Sequence, residues 1–132
     1  MKKLLLPLML LLTSMAVAKD SSVPVMIGEH GEVDLDACVG AGAVFGLNPK
    51  GDGFLAVRSG PAAHYKLLDR LQEGQQVFLC SSSEDELWHG VIYTSDAKVD
   101  CGVGSPVKSA RAYKGPCKSG WVSTKWIKVI AG

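Results

Sequence analysis

Four cysteines behind an apolar leader constrain this chain more than any other feature. Lys2 and Lys3 precede the run Leu4–Leu12, too short to span a bilayer, and Ala16-Val17-Ala18 has the small-x-small form of a cleavage site. We read residues 1–18 as a secretory signal peptide, and the lack of a cysteine near the cut argues against a lipid anchor. Cys38, Cys80, Cys101 and Cys117 all lie beyond it. An even count in an oxidising compartment, periplasmic or extracellular, implies two disulfides with three conceivable pairings. The spacing favours Cys101 with Cys117, closing a loop rich in Gly, Pro, Ser and Lys that would scarcely order itself otherwise, and leaves Cys38 for Cys80. In the chain-entropy account a loop of about 15 residues gains roughly 3 kcal/mol from its bridge. Cysteines so bridged leave no thiol nucleophile, and no CxxC-like cluster suggests a zinc site.

Removal of the leader would leave 114 residues, room for one domain with a modest core, carrying 12 Lys and Arg against 13 Asp and Glu. A near-neutral chain does not bind polyanions through bulk charge. Lys108, Arg111, Lys114 and Lys118 share one stretch, but spread-out loop lysines are solvated, so we expect neither a nucleic acid partner nor stable membrane insertion after cleavage.

Past the leader the pattern is all-β. Phe54–Arg58, Gln76–Cys80, Leu87–Tyr93 and Gly120–Ser123 are short runs rich in Val, Phe, Trp, Tyr and Ile, bounded by turn residues. Ala37–Leu47 adds a strand joined to Phe54 through Asn48-Pro49-Lys50-Gly51-Asp52-Gly53. Only Tyr65–Leu71 competes as a helix, with Leu67, Leu68 and Leu71 at helical spacing, but it is shorter than most stable helices.

Five pieces in order carry a resemblance. Val57-Arg58-Ser59-Gly60-Pro61, then Tyr65, precede Leu71-Gln72-Glu73-Gly74-Gln75-Gln76-Val77; Trp88-His89-Gly90-Val91, Gly120-Trp121-Val122 and Trp126-Ile127 follow. Over 53–130 the chain resembles the bacterial SH3 (SH3b) family. The resemblance implies a small SH3-like barrel over 53–132, with 19–52 as an N-terminal extension bearing one strand. It also marks a departure: where the family has a tight hairpin, residues 94–119 form an insertion before the last strand, stapled by the Cys101–Cys117 bridge. Such an insertion is either a stability device or a recognition loop. In a barrel of this kind Val57 points inward, Arg58 leaves the strand, Gly60-Pro61 turns the chain, and Leu67, Leu68 and Leu71 close the base of the following loop.

Enzymatic chemistry finds little support. His30, His64 and His89 lack a thiol partner, and Ser81-Ser82-Ser83 with Glu84, Asp85 and Glu86 reads as a hairpin tip. Glu29-His30-Gly31-Glu32-Val33-Asp34 has oxygen ligands for a cation but the look of a solvated turn. Gly40-Ala41-Gly42-Ala43-Val44-Phe45-Gly46 misses the dinucleotide spacing by one residue and suits close strand approach, so no cofactor or metal is expected. The aromatics point elsewhere. Trp88 and Trp121 take core positions of the family, whereas Trp126 falls in the turn that places a groove aromatic, with Tyr65 in the facing loop and Arg58, His64 and Asp69 available as polar contacts. The resemblance therefore implies a non-catalytic, exported binding module of the cell envelope that recognises peptidoglycan stem peptides or related peptides. The alternative is an inhibitor or immunity-type partner of an exported toxin or cell-wall hydrolase, with the stapled insertion as its contact surface.

Overall fold

A computed structural model describes residues 3, 4, 7, 9–12, 21–29 and 35–132; the expected cut after Ala18 and most of the acidic turn Glu29–Asp34 lie outside them. The described chain is all-β. Its strands are β1 (Met26–Ile27), β2 (Gly40–Val44), β3 (Leu55–Arg58), β4 (Leu67–Leu71), β5 (Gln76–Ser82), β6 (Trp88–Tyr93), β7 (Arg111–Ala112), β8 (Lys118–Ser123) and β9 (Ile127–Ala131), with a 3₁₀ turn at Thr124–Trp126. Among the described residues no helix is long and apolar enough to cross a membrane.

Seven strands form one antiparallel sheet in the order β4-β3-β8-β6-β5-β2-β9, and β1 pairs with β7 in a small second sheet. The large sheet does not close, because β4 and β9 stand at its two ends without pairing. It nevertheless folds around one cluster: Leu71 of β4 and Ile127 of β9 are buried together with Val44, Leu55, Val57, Val77, Val91 and Val122. Fully burying each Val, Leu or Ile side chain stabilises by about 1.5–3 kcal/mol, so this cluster holds the sheet in its curl.

Strand alternation sends neighbouring residues to opposite faces. Val91 and Val122 enter the first cluster, whereas Ile92 and Trp121 enter a second with Val25, Ile27, Ala37, Cys38, Cys80, Cys101 and Val103. Two segments cover that second face. The N-terminal segment and the insertion are tied together by the β1–β7 ladder and by the Ala37 and Cys38 amides, which donate to the Ser105 and Val103 carbonyls at 3.0 and 3.3 Å. Trp121 is buried as expected, its indole Nε1–H donating to the Val23 carbonyl at 2.9 Å. The disulfides pair as the spacing favoured, Cys38–Cys80 joining the N-terminal segment to β5 and Cys101–Cys117 closing the insertion.

Several expectations need amendment. Among the described residues, 19–52 carries two strands rather than one, and β2 is no appendage, since it lies between β5 and β9. The insertion precedes β8, with both β8 and β9 still to come. Residues Leu67–Leu71 are the strand β4, in which Leu71 is buried but Leu68 is exposed instead of closing a loop. Arg58 does not leave the strand; it is the last residue of β3, opposite Leu67 and Trp121. The glycine-rich run does bring backbones close: a Cβ on Gly42 would meet the Ile127 side chain at 2.6 Å.

Candidate functional site

An aromatic-walled cleft of about 350 Å³ opens beside β3. Alternation along that strand builds one wall: Leu55 and Val57 are buried, while Phe54, Ala56 and Arg58 are half-buried along the cleft. Trp88, at the start of β6, and Trp126, in the 3₁₀ turn, add aromatic surface, and Leu47, Leu67, Asn48 and Asp52 complete much of the rim.

Trp126 is held by its turn. The Ser123 hydroxyl accepts from the Lys125 amide at 3.4 Å, the Thr124 amide donates to the Leu87 carbonyl at 3.0 Å, and the Phe45 amide donates to the Trp126 carbonyl at 3.0 Å. The β2–β3 loop is fixed by Glu73, whose two carboxylate oxygens accept from the Gly46 and Leu47 amides at 2.9 and 3.1 Å. Lys125 places its ammonium 4.9 Å from the Trp126 ring centroid. Arg58 is the cation in the wall: its Nη1 donates to the Tyr65 carbonyl at a long 3.4 Å, and its buried Nε has no hydrogen-bond partner.

The five residues singled out in the sequence do not form one site. Arg58 and Trp126 share the cleft. Tyr65 instead packs its ring against Gly60, where any Cβ would collide with it, and stacks on His64 at 4.4 Å between centroids. Neither is a wall of the cleft. Asp69 lies in a separate polar cleft of about 270 Å³ with Tyr93 and Lys118. It accepts from the Tyr93 hydroxyl at 2.9 Å and from Lys118 Nζ at 3.4 Å. Burial alone would raise the Asp69 pKa, but the Arg70 amide, the Tyr93 hydroxyl and Lys118 together hold it below the usual value. Burial, then the hydrogen bond and charge of Asp69, push the Tyr93 phenol up.

Trp88, Phe54 and Glu73 were missed as contributors to the site. Phe54 was legible from alternation with Leu55 and Val57, and Trp88 serves two roles, packing on the second cluster while facing the cleft. Nothing local marks Glu73, because its partners lie 26 and 27 residues away.

Other candidates have structural employment. All four cysteines are bridged, leaving no free thiol. Ser83 donates to Asp85 at 2.6 Å within the hairpin tip, and Glu29 accepts from the Ser81 hydroxyl at 3.2 Å. Among the described residues no group of His, Cys, Asp and Glu is arranged to hold a metal. Compared with family models, with curated proteins and with solved structures, the chain shows no significant match.

Proposed function

We propose that this chain is an exported, non-catalytic binding module of the periplasm or cell surface, of SH3b type, whose aromatic cleft takes extended peptides of the peptidoglycan stem-peptide class. The observation that carries the reading is the juxtaposition of Trp88, Trp126 and Phe54 around a cleft that also presents Asn48, Asp52, Arg58 and Ser123. Rigid aromatics offer large contact area at small entropic cost, and a short peptide laid between them keeps its backbone accessible to rim groups such as Asn48 and Asp52. The two disulfides suit an oxidising compartment.

The alternative is an inhibitor or immunity-type partner that would use the insertion as its contact surface. Cys101 and Val103 are buried in the second cluster and Tyr113 packs on it, so part of the insertion covers the sheet while most of residues 94–119 stay exposed. Pull-down on purified sacculi, beside pull-down from periplasmic extract, tests the choice. Trp126→Ala should weaken sacculus binding by about 30-fold or more, an anchoring aromatic contributing on the order of 2 kcal/mol, while Lys108→Ala and Lys114→Ala change it little. Each variant must first melt like the parent. Normal sacculus binding by folded Trp126→Ala, with loss on changing Lys108, Arg111 or Lys114, would sink the cleft and move recognition to the insertion.

A further inference from the structure

Arg58 is the least satisfied polar group in the described structure. Its Nε–H is shut off from solvent with no acceptor, and its sole hydrogen bond, from Nη1 to the Tyr65 carbonyl, is stretched to 3.4 Å. A guanidinium offers five donors in a planar fork, and a buried donor left unpaired costs more than an exposed one. The same side chain forms part of the cleft wall with Phe54 and Leu67. The other charged wall residue is Asp52, which is exposed on the turn before β3 and makes no hydrogen bond or ion pair to Arg58. A cation is thus built into an aromatic cleft without a direct ion-pair partner among the described residues.

We infer that Arg58 is a carboxylate anchor and that the cleft takes peptides presenting a free carboxylate, its planar oxygens meeting the guanidinium fork while the neighbouring residue lies against Trp88 or Trp126. The inference rests on the peptide-binding reading of this cleft and names the chemistry of the end it grips. A fork meets a carboxylate through two parallel N–H···O bonds, and charge assistance makes such bonds about twice as strong as neutral ones. Lysine, a point charge, would not reproduce that geometry. Asp52, exposed at the rim, can accept from a peptide amide or ammonium.

The test compares two ligands on the unaltered protein. A synthetic stem pentapeptide ending in D-Ala-D-Ala is titrated as its free acid and as its C-terminal amide, with affinity read by calorimetry. The Trp indole signals are followed by ¹⁵N NMR. The free acid should bind at least tenfold tighter and shift the Trp126 indole signal, and folded Arg58→Gln should bind both forms alike. Equal affinities of the unaltered protein for acid and amide, with the Trp126 indole signal moving in both, would overturn the carboxylate anchor and leave the cleft as a peptide site. A preference for the acid that survives in folded Arg58→Gln would overturn the assignment to Arg58. Failure of both peptides to bind would overturn the anchor and the peptide reading together.

Discussion

Single residues set the tolerance of this fold. Gly120 sits in β8 where an added Cβ would strike the buried Val57 side chain and approach the Arg58 carbonyl at 3.1 Å. Gly120→Ala should therefore destabilise by about 1–3 kcal/mol, as overpacking of a filled core does, seen as a lower midpoint in urea with an unchanged slope. His89 makes a different prediction. Burial lowers its pKa below the ordinary 6.5, so in mildly acidic solution the unfolded chain binds a proton there that the native chain refuses. Its contribution is complete above about pH 6.5 and is lost as pH falls toward the native value. Stability measured by urea unfolding should decline from about pH 7 to about pH 5.5, and His89→Gln should flatten that decline. Asp69 acts in a lower window. Its native pKa is depressed, so its stabilisation is lost only as pH falls through the acidic range where carboxylates protonate.

At the scale of elements, the two disulfides bind different things. Cys101–Cys117 closes a separation of 16 residues within the insertion, whereas Cys38–Cys80 spans 42 and fastens the N-terminal segment to the central sheet. Chain entropy assigns about 3 kcal/mol to the first and about 4 kcal/mol to the second. The double variant Cys38→Ser/Cys80→Ser should thus lose more stability than Cys101→Ser/Cys117→Ser, and calorimetric melting of the two checks the order. Equal losses would mean that strain or residual structure in the unfolded chain outweighs loop length. The same scale explains what was legible. β3, β5, β6 and β8 announce themselves by aromatic and β-branched runs between turn residues, and the bridges by cysteine spacing. β4 does not, because Leu67, Leu68 and Leu71 mimic a helical face. In the sheet Leu67, Asp69 and Leu71 share one side, and the polar member is tolerated there because Tyr93, far along the chain, satisfies it. β9 hides for another reason. Only Ile127 is buried, and Lys128–Ala131 are exposed, so no alternation marks the strand.

For the whole molecule, thiol titration under denaturing, non-reducing conditions should find no reactive sulfur, and two titratable groups would break one bridge of the structure. The site was half legible at this scale: Trp126 and Arg58 lie together, but Tyr65, expected in the facing loop from the resemblance, and His64 and Asp69, expected as polar contacts beside it, lie outside the cleft. One feature of the topology also governs how the chain reaches its native state. β2, the first strand of the large sheet, is sealed on one side by β9, the last, with Val44 opposite Ile127 and Ala41 opposite Ala131. No early portion of the chain can complete that sheet by itself, and most of its ladders join distant segments. Such a contact order places folding in the millisecond-to-second range rather than the microseconds of helical domains. A chain threaded through a membrane pore from its N-terminus would thus stay pliable until β9 arrived, leaving assembly to the far side.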